Sequence, residues 1–371
     1  MRIIISYASA GAGHFKSAQA IYNYFKKKDP SLDIKLVDIL QYSGPLLRLG
    51  YTKGYSFMVN YVPWLWAFVF YFSSLKLLRP IISRMHLFGS RISAGKFCDL
   101  LIEENPDLLI STHFLPSQLT SYLKGVNKIS VKLITVITDF VVHPFWVSEN
   151  TDTYITACGL TSKILIDQGI ESCKIREFGI PIDCDFSKGL DRASVALKIG
   201  AGVDKFTVLI VTGSFGLGPI EKLVSLLYKD AQLLVVCARN KRLFRKLASY
   251  NYPGLKVFGF VDNMAELMSM PDVIITKPGG LSISELLAKE LVPIFISSIP
   301  GQEQGNVSVL KQYGIGFKAN GLNAIIKSVL AYKNDIPALE QIKTNIRKLK
   351  KPNSAGDLYN EVCKSSLGPG C

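Results

Sequence analysis

Short apolar runs alternate with helical patterns along almost the whole chain. Ile3 to Ser6, Ile34 to Leu36, Leu108 to Ser111, Lys132 to Val136 and Thr153 to Thr156 read as strands, and a helix is expected from Ser17. Strands that alternate with helices predict parallel sheets covered on both faces. After Gly179-Ile180-Pro181 the pattern restarts, with Thr207 to Val211, Leu233 to Cys237, Lys256 to Phe258, Val273 to Thr276 and Pro293 to Ile296. The expectation is an α/β chain of two consecutive doubly wound domains, residues 1–185 and 186–371, whose last helix is free to pack back on the first. Such a pair would hold a ligand in a cleft facing the carboxyl ends of both sheets. The sequence contains no internal repeat and no low-complexity tract.

One region departs from this rhythm. Between Ile39 and Cys98 there is no acidic residue, while Arg48, Lys53, Lys76, Arg79, Arg84, Arg91 and Lys96 supply seven positive charges. Within it, Gly54 to Leu75 is uncharged and holds Phe57, Trp64, Trp66, Phe68 and Phe70. A membrane-spanning helix needs roughly 20 apolar residues in continuity, and here Asn60 and Pro63 interrupt the run. Aromatic residues flanked by bases suit the headgroup level of a bilayer, so an interfacial element is expected; the alternative is a buried helical hairpin.

Composition narrows the setting. Of 371 residues 48% are hydrophobic, which excludes a disordered chain, and 43 Lys plus Arg against 29 Asp plus Glu leave a net charge of +14. An anionic partner is implied. The basic residues follow no RNP, KH, zinc-finger or helix-turn-helix pattern, so no nucleic acid is expected. Seven cysteines without a CxxC pair argue against a disulfide scaffold or zinc site, and Asp183-Cys184-Asp185 falls at the hinge, so no metal is expected. Met1-Arg2-Ile3-Ile4-Ile5 reads as a buried first strand and not as a signal peptide, which points to a peripheral protein on the cytoplasmic face of a membrane.

Four loops at strand ends carry candidate chemistry. In Ser6 to Ala18, Gly11 and Gly13 let a ligand approach a helix N-terminus, and His14 has the titration range of a general base; the alternative is a helix-capping histidine. The second loop offers Thr212, Gly213, Ser214, Gly216 and Gly218 as a nest of amides and hydroxyls for a diphosphate. In the third, Lys277 precedes Gly279, Gly280 and Leu281 at a helix start, and Glu285 lies about one turn in, where a carboxylate can accept both hydroxyls of a ribose. The fourth, Ile299 to Asn306, concentrates Gln302, Glu303 and Asn306 as sugar-hydroxyl recognition requires. Of the four histidines, His14, His113 and His143 follow expected strands and are candidates to converge, with strand-end hydrogen bonding as the alternative for His113 and His143.

The order GxGH, GSFGLGP, KPGGLSxSE and PGQExxN resembles the inverting nucleotide-sugar glycosyltransferases of the GT-B fold. That group includes monogalactosyldiacylglycerol synthases, processive diacylglycerol glucosyltransferases and the peptidoglycan enzyme MurG. Gly216 to Ile220 and Thr138-Asp139 followed by His143-Pro144-Phe145-Trp146 resemble its diacylglycerol branch. The resemblance implies two Rossmann-like domains and transfer of a hexose from a UDP-sugar co-substrate to the sn-3 hydroxyl of diacylglycerol, with inversion to a β-glycoside. It also implies that Glu285 meets the uridine ribose, that Ser214, Gly279, Gly280 and Leu281 line the diphosphate, that Gln302 and Glu303 read hexose hydroxyls, and that Phe260 and Val261 meet the uracil. His14 matches the family histidine proposed as the base. Plant-type members have an acid shortly before the glycine loop where this chain has Ser9, so Asp139 and His143 are rival bases. The expected acceptor and membrane contacts are Gly13, Phe57, Trp64, Trp66, Phe68, Phe70, His113 and Trp146. The alternatives are MurG-type transfer to a polyprenyl-diphosphate, a GT-B nucleotide-sugar epimerase and a non-catalytic membrane-binding module. The motifs leave open the identity of the hexose, processivity and the oligomeric state.

Overall fold

In the computed structural model, which describes residues 1–75, 79–213, 218–296, 298–319 and 321–365, the apolar runs form two six-stranded sheets, each wholly parallel. The first is built from β1 (Arg2–Tyr7), β2 (Asp33–Asp38), β3 (Leu108–Ser111), β4 (Lys132–Val136), β5 (Thr153–Ile155) and β6 (Ile175–Arg176), in the order β2-β1-β3-β4-β5-β6. The second comprises β7 (Thr207–Val211), β8 (Gln232–Val236), β9 (Leu255–Phe258), β10 (Val273–Thr276), β11 (Val292–Phe295) and β12 (Phe317–Lys318), in the order β12-β11-β10-β7-β8-β9. The strand order reverses between β1 and β3 in one sheet and between β7 and β10 in the other. In open α/β sheets, ligands bind at such reversals, beyond the carboxyl ends of the strands.

The expected strands are present, with ends shifted by no more than two residues. Two were not legible: β6 and β12 are two-residue edge strands, too short for any period to register. The first helix begins at Ala12 and not at Ser17. Gly11 caps it in extended conformation (φ −164°), and Gly13 is tolerated because its cost is small in a first turn stabilised by packing.

The chain divides into two compact units. The first gathers Met1–Cys184, Ile299–Gly305 and the chain from Asn353 onward; the second holds Asp185–Ser298 and Asn306–Pro352. In the first, the period-two alternation of β1 sorts its isoleucines onto opposite faces. Ile3 and Ile5 pack with Ala18, Ile21 and Phe25 of helix Ala12–Lys28 and with Leu358 and Val362 of helix Ser354–Ser365. Ile4 packs with Phe97, Leu101, Leu115 and Leu119 on the other face. In the second unit, Val208 to Ile210, Leu233 to Val236 and Val273 to Ile275 are buried, as the strands of a doubly covered sheet require.

The acid-free region belongs to the first unit. It forms helices Pro45–Leu49, Tyr55–Tyr61, Pro63–Ser73 and Arg79–Ser93, with a π-helical turn over Gly50–Gly54. Pro63 starts a new helix, as a residue lacking an amide hydrogen favours. Leu47, Tyr51 and Leu87 pack on the core, and the Arg91 guanidinium lies 3.8 Å from the Tyr122 ring centre. These contacts hold the region to the sheet while much of its apolar surface stays exposed: Phe57, Tyr61, Trp64, Phe68, Tyr71, Phe72, Met85, Phe88 and Ile92. Arg48, Lys53, Arg84 and Lys96 are exposed among them, and Lys76 lies outside the described residues. No helix among the described residues is long and apolar enough to cross a membrane. The alternative of a buried hairpin is therefore excluded by exposure, and a spanning helix among the described residues by length.

Candidate functional site

In the first unit the strand-order reversal brings His14, on the first turn after β1, against His113, two residues beyond β3, with ring centres 4.7 Å apart. His14 Nδ1 lies 2.8 Å from the Thr112 carbonyl and 2.9 Å from the Thr138 hydroxyl. A carbonyl only accepts, so Nδ1 carries the proton and Nε2 keeps its lone pair. Among the described residues no carboxylate touches the ring and nothing engages Nε2. Burial lowers the His14 pKa from its ordinary value to about 4, opposed in part by the Thr112 carbonyl. The imidazole is thus neutral at physiological pH and oriented to accept a proton through Nε2.

His113 is buried. Its Nδ1 accepts from the Leu115 amide at 3.1 Å and caps helix Phe114–Gly125; burial, then the neighbouring His14 and His86, hold its pKa well below the usual range. Trp146, also buried, sits 6.3 Å from both the His14 and His113 rings and packs with Ile137, Val142, Tyr154 and Leu165. Both were expected as acceptor or membrane contacts; their burial takes them off the surface that a membrane would meet, and they pack around His14. His143 does not join them. Its Nδ1 accepts from the Phe145 amide at 3.2 Å, and its Nε2 faces Ser73 Oγ at 3.1 Å and the Phe70 carbonyl at 3.4 Å. With both ring nitrogens engaged, His143 ties the aromatic helix to the turn and has no lone pair for a base.

His86 was given no role in the sequence. Its Nδ1 donates to Gln118 Oε1 at 2.9 Å, so Nε2 receives the Tyr51 hydroxyl at 3.3 Å, and Gln118 in turn donates to the Phe145 carbonyl at 2.9 Å. Thr112 and Thr138 were likewise unassigned. Thr138 was marked only as part of the Thr138-Asp139 motif, and Thr112 carried no signal; both meet His14 because the helix starting at Ala12 turns it toward the ends of β3 and β4.

Asp139, 4% exposed, accepts a hydrogen bond from the Gln302 amide. The turn that carries Gln302 is itself part of the first unit and packs closely against Phe70 and Val141. A Cβ on Gly301 (φ +83°) would clash with the Phe70 ring, and one on Gly305 would come within 2.7 Å of Val141. Glu303 accepts from the Ile299 amide at 2.7 Å, which closes the turn.

In the second unit, the strand reversal between β7 and β10 is flanked by both glycine loops. Gly213 (φ +84°) and Gly218 (φ +125°) bend the first, and Ser214, Gly216 and Leu217 lie outside the described residues. Thr212 is buried, and its hydroxyl has no partner among the described residues. After β10, half-buried Lys277 has no ion-pair partner among the described residues. Gly279 then caps helix Gly280–Ala288, which leaves the first amides of that helix unsatisfied within it. Leu281 is buried against the core, and Glu285 lies on the same helix, half-exposed. Asn306 is fully buried and donates to the Pro278 carbonyl at 3.1 Å, so it braces the lysine loop and does not face solvent. Phe260 is exposed just beyond β9, beside half-exposed Val261, and Gly13 is half-exposed beside His14.

Residues 14–182 match the family described as monogalactosyldiacylglycerol (MGDG) synthase, and residues 207–348 match the glycosyltransferase family 28 C-terminal domain. The chain is 29% identical over 369 residues to the processive diacylglycerol beta-glucosyltransferase of Bacillus mycoides (strain KBAB4), covering 97% of this chain and 93% of that protein. Against the protein of the same name from Bacillus pumilus (strain SAFR-032) it is 27% identical over 375 residues, covering 98% and 95%. Among solved structures, a co-structure of S. aureus MnaA with UDP superposes with a TM-score of 0.63 at 12% identity, covering 99% of this chain and 97% of that one. Acinetobacter baumannii MurG gives 0.60 at 13%, covering 98% and 100%. The chain therefore has the GT-B fold and is a glycosyltransferase, similar over residues 14–182 to the monogalactosyldiacylglycerol synthase family and over residues 207–348 to the glycosyltransferase family 28 C-terminal domain.

Proposed function

We propose that this glycosyltransferase moves a hexose from a UDP-sugar to the sn-3 hydroxyl of 1,2-diacylglycerol, with inversion, to give a β-glycosyl diacylglycerol. One observation carries the reading: a single unit holds both a neutral, oriented His14 and an acid-free surface of exposed aromatics with basic neighbours. The names of the relatives point the same way.

In this reading the helices of residues 45–93 settle on an anionic bilayer surface. Trp64 and Phe68 enter the headgroup region, and Arg48, Lys53, Arg84 and Lys96 pair with lipid phosphates. The diacylglycerol hydroxyl reaches His14, whose Nδ1–H is held by Thr112 and whose Nε2 takes the hydroxyl proton as the oxygen attacks the anomeric carbon. The C1–O bond to UDP breaks on the opposite side of that carbon. Lys277 and the amides of Gly279 to Leu281, at a helix N-terminus, receive the charge on the departing diphosphate. Glu285 holds the ribose, Phe260 and Val261 meet the uracil, and Gln302 accepts from a hexose hydroxyl. With those cationic and amide groups the reading requires no metal or resident cofactor. Positioning and diphosphate stabilisation carry most of the barrier reduction, and general-base help adds roughly 10²- to 10⁴-fold.

The test is UDP release from UDP-glucose, UDP-galactose and UDP-N-acetylglucosamine, each offered with and without diacylglycerol vesicles. Release that depends on diacylglycerol with at least one donor supports the reading. Release only with a polyprenyl-diphosphate acceptor, or epimerisation without any acceptor, overturns it.

A further inference from the structure

Thr138 and Asp139 are consecutive, both buried, and each reaches a different candidate group of the first unit. The Thr138 hydroxyl lies 2.9 Å from His14 Nδ1, and the Asp139 carboxylate receives the Gln302 amide. One peptide unit therefore fixes the distance between the imidazole and the glutamine. We propose that Thr138-Asp139 is a brace for this reaction, in which Asp139 is a positioning residue for Gln302, and not the base.

Three features support the brace. Gln302 must turn its NH₂ toward the carboxylate, so its Oε1 is left to accept, and the sugar subsite becomes selective for a hydroxyl that donates. The turn around Gln302 is packed closely on both sides. Gly301 and Gly305 flank it, and the positions of their missing Cβ atoms are already filled by Phe70 and by Val141, two residues beyond Asp139. Asp139 is 4% exposed, which leaves little surface for a lipid hydroxyl to meet, whereas half-buried His14 keeps Nε2 open among the described residues.

This inference rests on the proposed function, because it assigns Gln302 to the hexose. Its test uses the full chain with UDP-hexose and diacylglycerol vesicles, and compares wild type with Asp139→Asn, Asp139→Ala, Gln302→Ala and the Asp139→Ala/Gln302→Ala double variant. A hydrogen bond to a buried charge is worth enough to raise the donor KM about tenfold in either alanine variant. The double variant is expected to be no worse than the singles. Asp139→Asn, which keeps an acceptor oxygen, stays within about tenfold of wild-type kcat and retains the wild-type pH profile. If the alanine variants do not fold, Gln302→Glu decides. It sets two carboxylates against each other and raises the donor KM, and adding Asp139→Asn restores that KM to within about threefold. Loss of about 10³-fold in kcat for Asp139→Asn with donor KM unchanged, additive effects in the double variant, or no rescue of Gln302→Glu would overturn the brace alone. A wild type that turns over none of the three UDP-sugars would overturn the functional reading, and the brace with it.

Discussion

Acidification gives a sharp test of the histidine cluster, because the direction and size of the effect follow from His14 itself. An ordinary histidine titrates near 6.5, whereas burial holds His14 at about 4. For catalysis, neutral His14 persists to about pH 5, so any limb of kcat/KM that this group causes lies below pH 5 and not at 6.5. For stability the sign is fixed by linkage. The folded pKa lies below the unfolded one, so between these values the unfolded chain binds a proton that the folded chain refuses, and stability falls as pH falls. At about 1.36 kcal/mol per pKa unit, the fall between pH 6.5 and 5 is about 2 kcal/mol from His14 alone. His113 and His86, both lowered chiefly by burial, add to it in the same direction. A total stability of roughly 5–15 kcal/mol makes this measurable. Urea midpoints at pH 7.5, 6.5, 5.75 and 5 would report the slope, and His14→Gln should reduce it. Stability flat over that window, or a kcat/KM midpoint near 6.5 that His14→Gln abolishes, would refute the assignment of a neutral His14.

Three further outcomes follow. Phe68→Ser and Trp64→Ser should each weaken binding to anionic vesicles by about 1–2 kcal/mol, scaling the burial of a large apolar side chain to the 60% and 70% now exposed; co-sedimentation at rising salt checks this. Lys277→Ala should raise the donor KM about tenfold or more while leaving vesicle binding intact, which steady-state kinetics and co-sedimentation together resolve. Leu358→Ala should cost about 2–5 kcal/mol, because Leu358 is fully buried against the first helix and sheet although it lies near the end of the sequence; thermal unfolding reads this directly.

The longer strands of both sheets were legible because a strand buried on both faces must be apolar almost throughout, as Thr207 to Val211 and Leu108 to Ser111 are. The helix start at Ala12 was not, because glycines at 11 and 13 suggest a loop, and only packing decides that Gly13 is helical. His14 could be singled out by its place after a glycine loop. Its partners could not, since Thr112 and Thr138 lie about 100 residues or more away in sequence and meet it only once β1, β3 and β4 pair. The same limit explains His143 and Asn306. Their residue types suit catalysis and sugar binding, yet the fold commits one to Phe145, Ser73 and Phe70 and the other to Pro278. The exposed aromatic face was foreshadowed by missing acids, because an apolar run destined for the core has no need to avoid them across 60 residues.

The most direct measurement is the product itself. Purified enzyme is offered diacylglycerol vesicles with each of the three UDP-sugars, the lipid extract is weighed by mass spectrometry, and the anomeric coupling is read by NMR. The expected result is diacylglycerol carrying one or more hexoses, β-linked at the sn-3 oxygen, which His14→Ala reduces by roughly 10²-fold or more. An α-linked product, or an unmodified diacylglycerol pool with all three donors, would contradict it.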